Sequence, residues 1–124
     1  MKVQFFSCGH CGNIIAKIKD CGVPIKCCGE NMKDLTAATS DGAKEKHIPL
    51  YHINGDKVTV NVGEAEHQMT AEHYIEWVCI ETEKGLQLKK LTPDRTPEVS
   101  FALTNDDKVK SVFAFCNLHG LWKA

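Results

Sequence analysis

Downstream of residue 56, apolar and polar residues alternate with the period of a β-strand. Val58, Val60 and Val62 are separated by Thr59 and Asn61, with Lys57 before them, and Val99, Phe101 and Leu103 alternate with Ser100, Ala102 and Thr104. A period of two places each apolar set on one face, so both stretches are expected to be half-buried strands. The run from Tyr74 to Glu81 is rich in β-formers and reads as a third. Asn54-Gly55 predicts a hairpin with a type I′ turn, which needs positive φ at both central positions, and Thr92-Pro93-Asp94 and Asn105-Asp106-Asp107 predict further turns. No convincing amphipathic helix and no repeat of solenoid period is found. Short strands separated by turns predict a mainly β protein built on an antiparallel sandwich, slightly smaller than the about 100 residues of an immunoglobulin domain.

The first part of the chain lacks this pattern. Cysteines stand at positions 8, 11, 21, 27 and 28, and only Cys79 and Cys116 follow, whereas every histidine except His10 lies beyond residue 46. Thr36 to Lys44 is small, polar and aperiodic, the signature of a linker. We therefore expect a small metal-binding module over residues 1–36 and the sandwich over 37–124. A module of about 35 residues buries too little to fold unaided, so a metal is expected to supply much of its folding free energy.

Bulk properties exclude several classes. Of the 124 residues, 43% are hydrophobic and 25% charged, as in an ordinary globular chain. A formal net charge of −1 offers no broad basic surface for nucleic acid. No apolar run nears membrane-spanning length, and Met1 to Ser7 leads into Cys8 without a signal-type apolar region, so a cytoplasmic location without membrane attachment is expected. Seven cysteines in a reducing compartment, an odd number, point to metal rather than disulfides.

Two constellations carry the chemistry. Cys8-x2-Cys11, followed after fifteen residues by Cys27-Cys28-Gly29, offers four thiolates for a closed tetrahedral site that suits zinc or a single iron equally. Adjacent cysteines reach one ion only on a tight turn, which Gly29 permits. His10 is expected to face solvent or hydrogen-bond, and Cys21 to be a spare thiol. Downstream, His47, His52, His67, His73 and His119 accompany Cys116, and Cys116-x2-His119 forms a chelating pair on a turn. A cysteine-protease pair lacks an obvious orienting third residue, and a blue copper site lacks a methionine after His119. An iron site with several imidazoles and one thiolate would use all that is on offer. Cys79, in line with Ile75 and Trp77 on one strand face, reads as a buried apolar residue.

The blocks CGHCGNI, CCGENM, DGAKEKHIP, EHQMTAEHYIEW and FCNLHGLWKA, in this order and across nearly the whole chain, resemble desulfoferrodoxin, the two-iron superoxide reductase family. The resemblance implies a desulforedoxin-like first module with iron on Cys8, Cys11, Cys27 and Cys28. It also implies an immunoglobulin-like sandwich with a catalytic iron on His47, His67, His73 and His119 in a plane and Cys116 axial. His52 falls outside those blocks and is expected to be a surface strand histidine.

The implied activity is one-electron reduction of superoxide to hydrogen peroxide. Five protein ligands leave a position for a small anion, and four neutral imidazoles with one thiolate leave ferrous iron net positive. Lys46 is expected to attract superoxide and Glu45 to serve the oxidised iron, although the Lys44-Glu45-Lys46 run taken alone is an ordinary solvated loop. A rubredoxin-like electron donor and a homodimer are also implied. Two other readings stay open: a non-catalytic iron electron carrier, and a zinc-stapled binding module.

Overall fold

The computed structural model describes residues 3–39, 47–63 and 66–124. The chain divides into two compact units, Met1–Thr36 and Ala37–Ala124. Every regular element among the described residues is a β-strand, and all strands pair antiparallel.

In the first unit, β1 (Gln4–Ser7) lies between β2 (Ile14–Lys17) and β5 (Lys33–Asp34), while β3 (Lys26–Cys27) and β4 (Glu30–Asn31) form a separate two-stranded ribbon. The ribbon turns on Cys28 and Gly29, whose φ values of 54° and 78° are both positive, as a two-residue type I′ loop requires. Gly29 takes that conformation without strain, whereas Cys28 does so against the roughly 1–2 kcal/mol preference of L-residues for negative φ.

The second unit stacks a three-stranded sheet on a four-stranded one. Order in the first is β10 (Glu98–Ala102), β7 (Lys57–Val62), β6 (Pro49–Asn54); in the second it is β12 (Gly120–Lys123), β11 (Val109–Cys116), β8 (Ile75–Thr82), β9 (Leu86–Lys90). Val58, Val60, Val62 and Phe101 from one sheet, with Leu103 just past β10, meet Ile75, Val78, Ile80, Val112, Ala114 and Cys116 from the other in a single buried cluster. This is the sandwich that the alternating pattern implies. Removing each such valine or isoleucine from water stabilises the fold by about 1.5–3 kcal/mol.

Three local expectations are corrected. The β6–β7 hairpin closes with Asn54 opposite Lys57, so its central residues are Gly55 and Asp56, and of these only Gly55 has positive φ, at 63°. Glycine at the first central position is the type II′ pattern, not type I′. On β8, Ile75 does not share a face with Trp77 and Cys79. A bulge at Glu76, facing the Phe115–Cys116 step of β11, shifts the register so that Ile75 joins Val78 and Ile80 in the core, while Trp77 stacks on Phe115 at 5.4 Å. The same bulge sets Ile75 opposite Cys116 at the end of β11. Finally, the segment read as a linker is partly structured: the Ala38 N–H donates to the Leu121 carbonyl at 2.9 Å and the Lys123 N–H to the Ala38 carbonyl at 2.8 Å, forming a parallel bridge to Trp122.

Candidate metal centres

In the first unit, Cys8 and Cys11 lie on the turn after β1, and Cys27 and Cys28 lie on the β3–β4 ribbon. The four sulfurs come within 4.8 Å of one another. The backbone N–H groups of Cys11 and His10 point at Cys8 Sγ from 3.5 and 3.4 Å and lower its pKa to about 6. Contacts with Cys11 raise the pKa of Cys27, and contacts with Cys11, Cys8 and Cys27 push Cys28 up to about 12. One thiolate is thus favoured while the crowding opposes four, and a cation among them removes that opposition. Asn13 adds a side-chain N–H donated to Cys27 Sγ at 3.5 Å. The set fits one tetrahedral metal.

The second group gathers at one end of the sandwich. His47 precedes β6, His67 and His73 bound the loop leading into β8, and Cys116 and His119 flank the β11–β12 turn. The ring centroids of His47 and His67 are 4.8 Å apart, His67 and His73 4.8 Å, His73 and His119 5.0 Å, and His119 and His47 4.9 Å. Four imidazoles therefore close into a cycle with nearly equal sides. Donor atoms of His47, His67, His73 and Cys116 all lie within 4.8 Å of one another. His119 joins through Nδ1, which is 3.1 Å from His47 Nε2 and 3.7 Å from Cys116 Sγ.

His67 provides the test of whether this group suits a metal. Its Nδ1 lies 2.6 Å from the Gln68 carbonyl, so Nδ1 carries the proton and Nε2 presents a lone pair. That Nε2 is buried and has no hydrogen-bond partner among the described residues. Burial, reinforced by the neighbouring imidazoles and only partly offset by the Gln68 carbonyl, lowers the His67 pKa to about 4. A neutral ring with a bare, buried nitrogen aimed at other donors is what a metal ligand requires, and the adjacent carbonyl orients it.

Local backbone chemistry explains the placement. Thr70 and His73 exchange backbone hydrogen bonds of 2.9 and 3.2 Å, closing the loop between His67 and His73, and the His67 N–H is tied to the Val62 carbonyl at 3.2 Å. The β11–β12 turn depends on Gly120, whose φ of 83° follows directly after His119. Two residues not singled out in the sequence prove structural here. Asn117 accepts the Tyr74 N–H on Oδ1 at 2.9 Å and donates from Nδ2 to the Glu72 carbonyl at 3.0 Å, clamping the His73 loop to the Cys116–His119 turn. Trp122 stacks on His47 with centroids 4.5 Å apart and planes 17° apart. An Asn inside a Cys-x2-His turn and a Trp just beyond it were visible signals, but neither specifies its partner.

The remaining residues behave simply. His10 is exposed and 3.0 Å from Glu30, Cys21 is exposed, and His52 lies exposed on β6. Cys79 is buried, and burial, with the Glu81 charge, pushes its thiol up to about 12, as befits an inert packing residue. Glu45 and Lys46 lie outside the described residues.

A four-thiol group in one β unit and a four-imidazole, one-thiol group in another define a two-site metalloprotein. The desulfoferrodoxin sequence profile matches residues 39–124. A desulfoferrodoxin from Nitratidesulfovibrio vulgaris is 41% identical over 122 residues, covering 98% of this chain and 94% of its own. A crystal structure of the superoxide reductase from Treponema pallidum superimposes with a TM-score of 0.87 at 41% identity, covering 99% of this chain and 98% of that one. A superoxide reductase from Thermococcus kodakarensis is 33% identical, covering 74% of this chain and 95% of its own. The chain belongs to the desulfoferrodoxin family.

Proposed function

We propose that this protein is a superoxide reductase with two irons per chain. Residues 1–36 form a desulforedoxin-like module holding one iron on Cys8, Cys11, Cys27 and Cys28. Residues 37–124 form the catalytic domain, with iron on His47, His67, His73, His119 and Cys116. The reading rests chiefly on the closed cycle of four imidazoles about Cys116, with His67 Nε2 buried and bare. Iron held by these residues would supply the one electron that, with two protons, converts superoxide to hydrogen peroxide.

The chain's own residues shape that chemistry. Four neutral imidazoles and one thiolate together would carry a single negative charge, so a ferrous ion held by them would leave the site net positive and attractive to an anion. Cys116 is fully buried in the sandwich core, which shields its sulfur from bulk water. His119 is exposed, leaving the cluster an accessible side for a small anion and for protons. Lys46, adjacent to His47, draws superoxide in and holds a proton source near it, and Glu45 gives the oxidised centre a carboxylate partner.

No helix among the described residues is long and apolar enough to cross a membrane, and we assign the protein to the cytoplasm. A small redox protein such as a rubredoxin serves as electron donor. The protein acts as a homodimer, a reading supported by Leu50, Tyr51 and Ile53, which are 48%, 40% and 53% exposed on the edge strand β6.

The deciding experiment counts iron, zinc and copper in protein isolated without added metal and follows superoxide consumption and peroxide release. About two irons per chain with rapid turnover is the expected result. Two irons without turnover would make the protein an electron carrier, and zinc without redox activity would make it a stapled binding module.

A further inference from the structure

An imidazole nitrogen donates its lone pair in the plane of the ring, so a histidine reaches a shared metal only when its ring plane is set. His47 lies outside the strands, on a bend two residues ahead of β6. Its ring rests on Trp122, centroids 4.5 Å apart and planes within 17° of parallel.

Trp122 is itself held on several sides. Its backbone pairs with Ala114 of β11 and bridges to Ala38, and the residues on either side of it, Leu121 and Lys123, both hydrogen-bond Ala38. Its indole N–H donates to the backbone carbonyl of His119 at 3.2 Å, which fixes the rotation of the ring. One side chain thus touches the segments of two histidines that lie 72 residues apart.

We propose that Trp122 is a positioning residue for the second metal site: its indole, locked to the His119 carbonyl, sets the plane of the His47 ring. The proposal rests on the reading that these imidazoles and Cys116 hold iron. It assigns the final strand a role beyond closing the sheet. Residues that orient metal-bound histidines typically govern metal affinity by 10–100-fold.

Trp122→Met and Trp122→Phe separate positioning from packing. Both keep an apolar side chain and both lose the N–H, but only phenylalanine retains a flat ring to lie against His47. Ferrous affinity of the second site is measured on the full chain by chelator competition, with absorption of the oxidised site as a second readout and the first site as internal reference. Trp122→Met is expected to weaken the second site by about 10–100-fold and shift its absorption, with the first site unchanged, and Trp122→Phe, which keeps the stacking face but not the N–H lock, to recover part of that loss. Equal affinities and spectra for the two variants, whatever their melting temperatures, would overturn the proposal. A parent protein that takes up no metal at the second site while loading the first would overturn the underlying ligand assignment, and this proposal with it.

Discussion

The clamp formed by Asn117 offers a quantitative test. Its amide holds two residues of the His73 loop, 43 and 45 positions away in sequence, through the Tyr74 N–H at 2.9 Å and the Glu72 carbonyl at 3.0 Å. Asn117→Ala removes both bonds and leaves the backbone bond from its own N–H to the Tyr74 carbonyl. Each neutral hydrogen bond contributes about 1 kcal/mol net, and the position is only half-buried, so the expected loss is about 2 kcal/mol with little cavity term. For a unit of this size each kcal/mol moves Tm by roughly 4–8 °C, which predicts a fall of roughly 8–16 °C. Thermal unfolding of the iron-loaded protein measures it, with the first-site absorption reporting the other unit separately. The neighbouring Leu118→Ala serves as control, since Leu118 is 61% exposed and its truncation is expected to stay within about 0.5 kcal/mol. An Asn117→Ala shift no larger than that of the control would refute the clamp.

Other perturbations separate the two units and the chemistry. His67→Ala is expected to empty the second site and leave the four-cysteine site loaded, read as loss of about half the iron; full retention would remove His67 from the ligand set. Lys46→Ala is expected to slow superoxide reduction at unchanged iron content, with the difference from the parent shrinking as salt rises, measured by pulse radiolysis across ionic strengths. Phe101→Ala, which empties a fully buried core position, is expected to destabilise the sandwich by about 3–5 kcal/mol in denaturant unfolding. Partial burial works to raise the Asp107 carboxyl, but hydrogen bonds from the Thr82 hydroxyl and the Lys108 and Lys84 N–H groups outweigh it and hold its pKa below the usual carboxylate range. A depressed folded pKa stabilises above the unfolded value near 3.9, and that stabilisation is lost as pH falls through the folded value. The Tm gap between parent and Asp107→Asn should therefore be constant above about pH 5 and narrow below pH 4; a gap independent of pH would contradict the assignment.

Much of the candidate chemistry is legible in residue spacing because it is local. Cys8-x2-Cys11 and Cys116-x2-His119 each present two donors within one turn, so their convergence needs little from the rest of the fold. The Cys27-Cys28 pair likewise announces a tight turn, and the ribbon adopts one with both central φ values positive. The strand assignments also follow from local pattern, since alternation must place Val58, Val60 and Val62 on one face. What escaped is non-local or depends on one residue of register. The hairpin loop falls on Gly55-Asp56 because pairing of β6 with β7 selects it, and the bulge at Glu76 cannot be inferred from alternation that it interrupts.

By itself, the sequence determined the donor inventory, the β character and the division into a cysteine-rich first part and a histidine-bearing second part, because composition and period-two alternation are properties of neighbouring residues. Only the tertiary structure decided that His47, His67, His73 and His119 close into one cycle, since these four come from three separate segments whose approach is set by sheet order and register. It likewise turned Asn117 into a clamp, Trp122 into a partner of His47, and Ala38 from linker into a bridge to the last strand. Contacts of this kind join residues far apart in the chain, and their geometry exists only once the two sheets have packed.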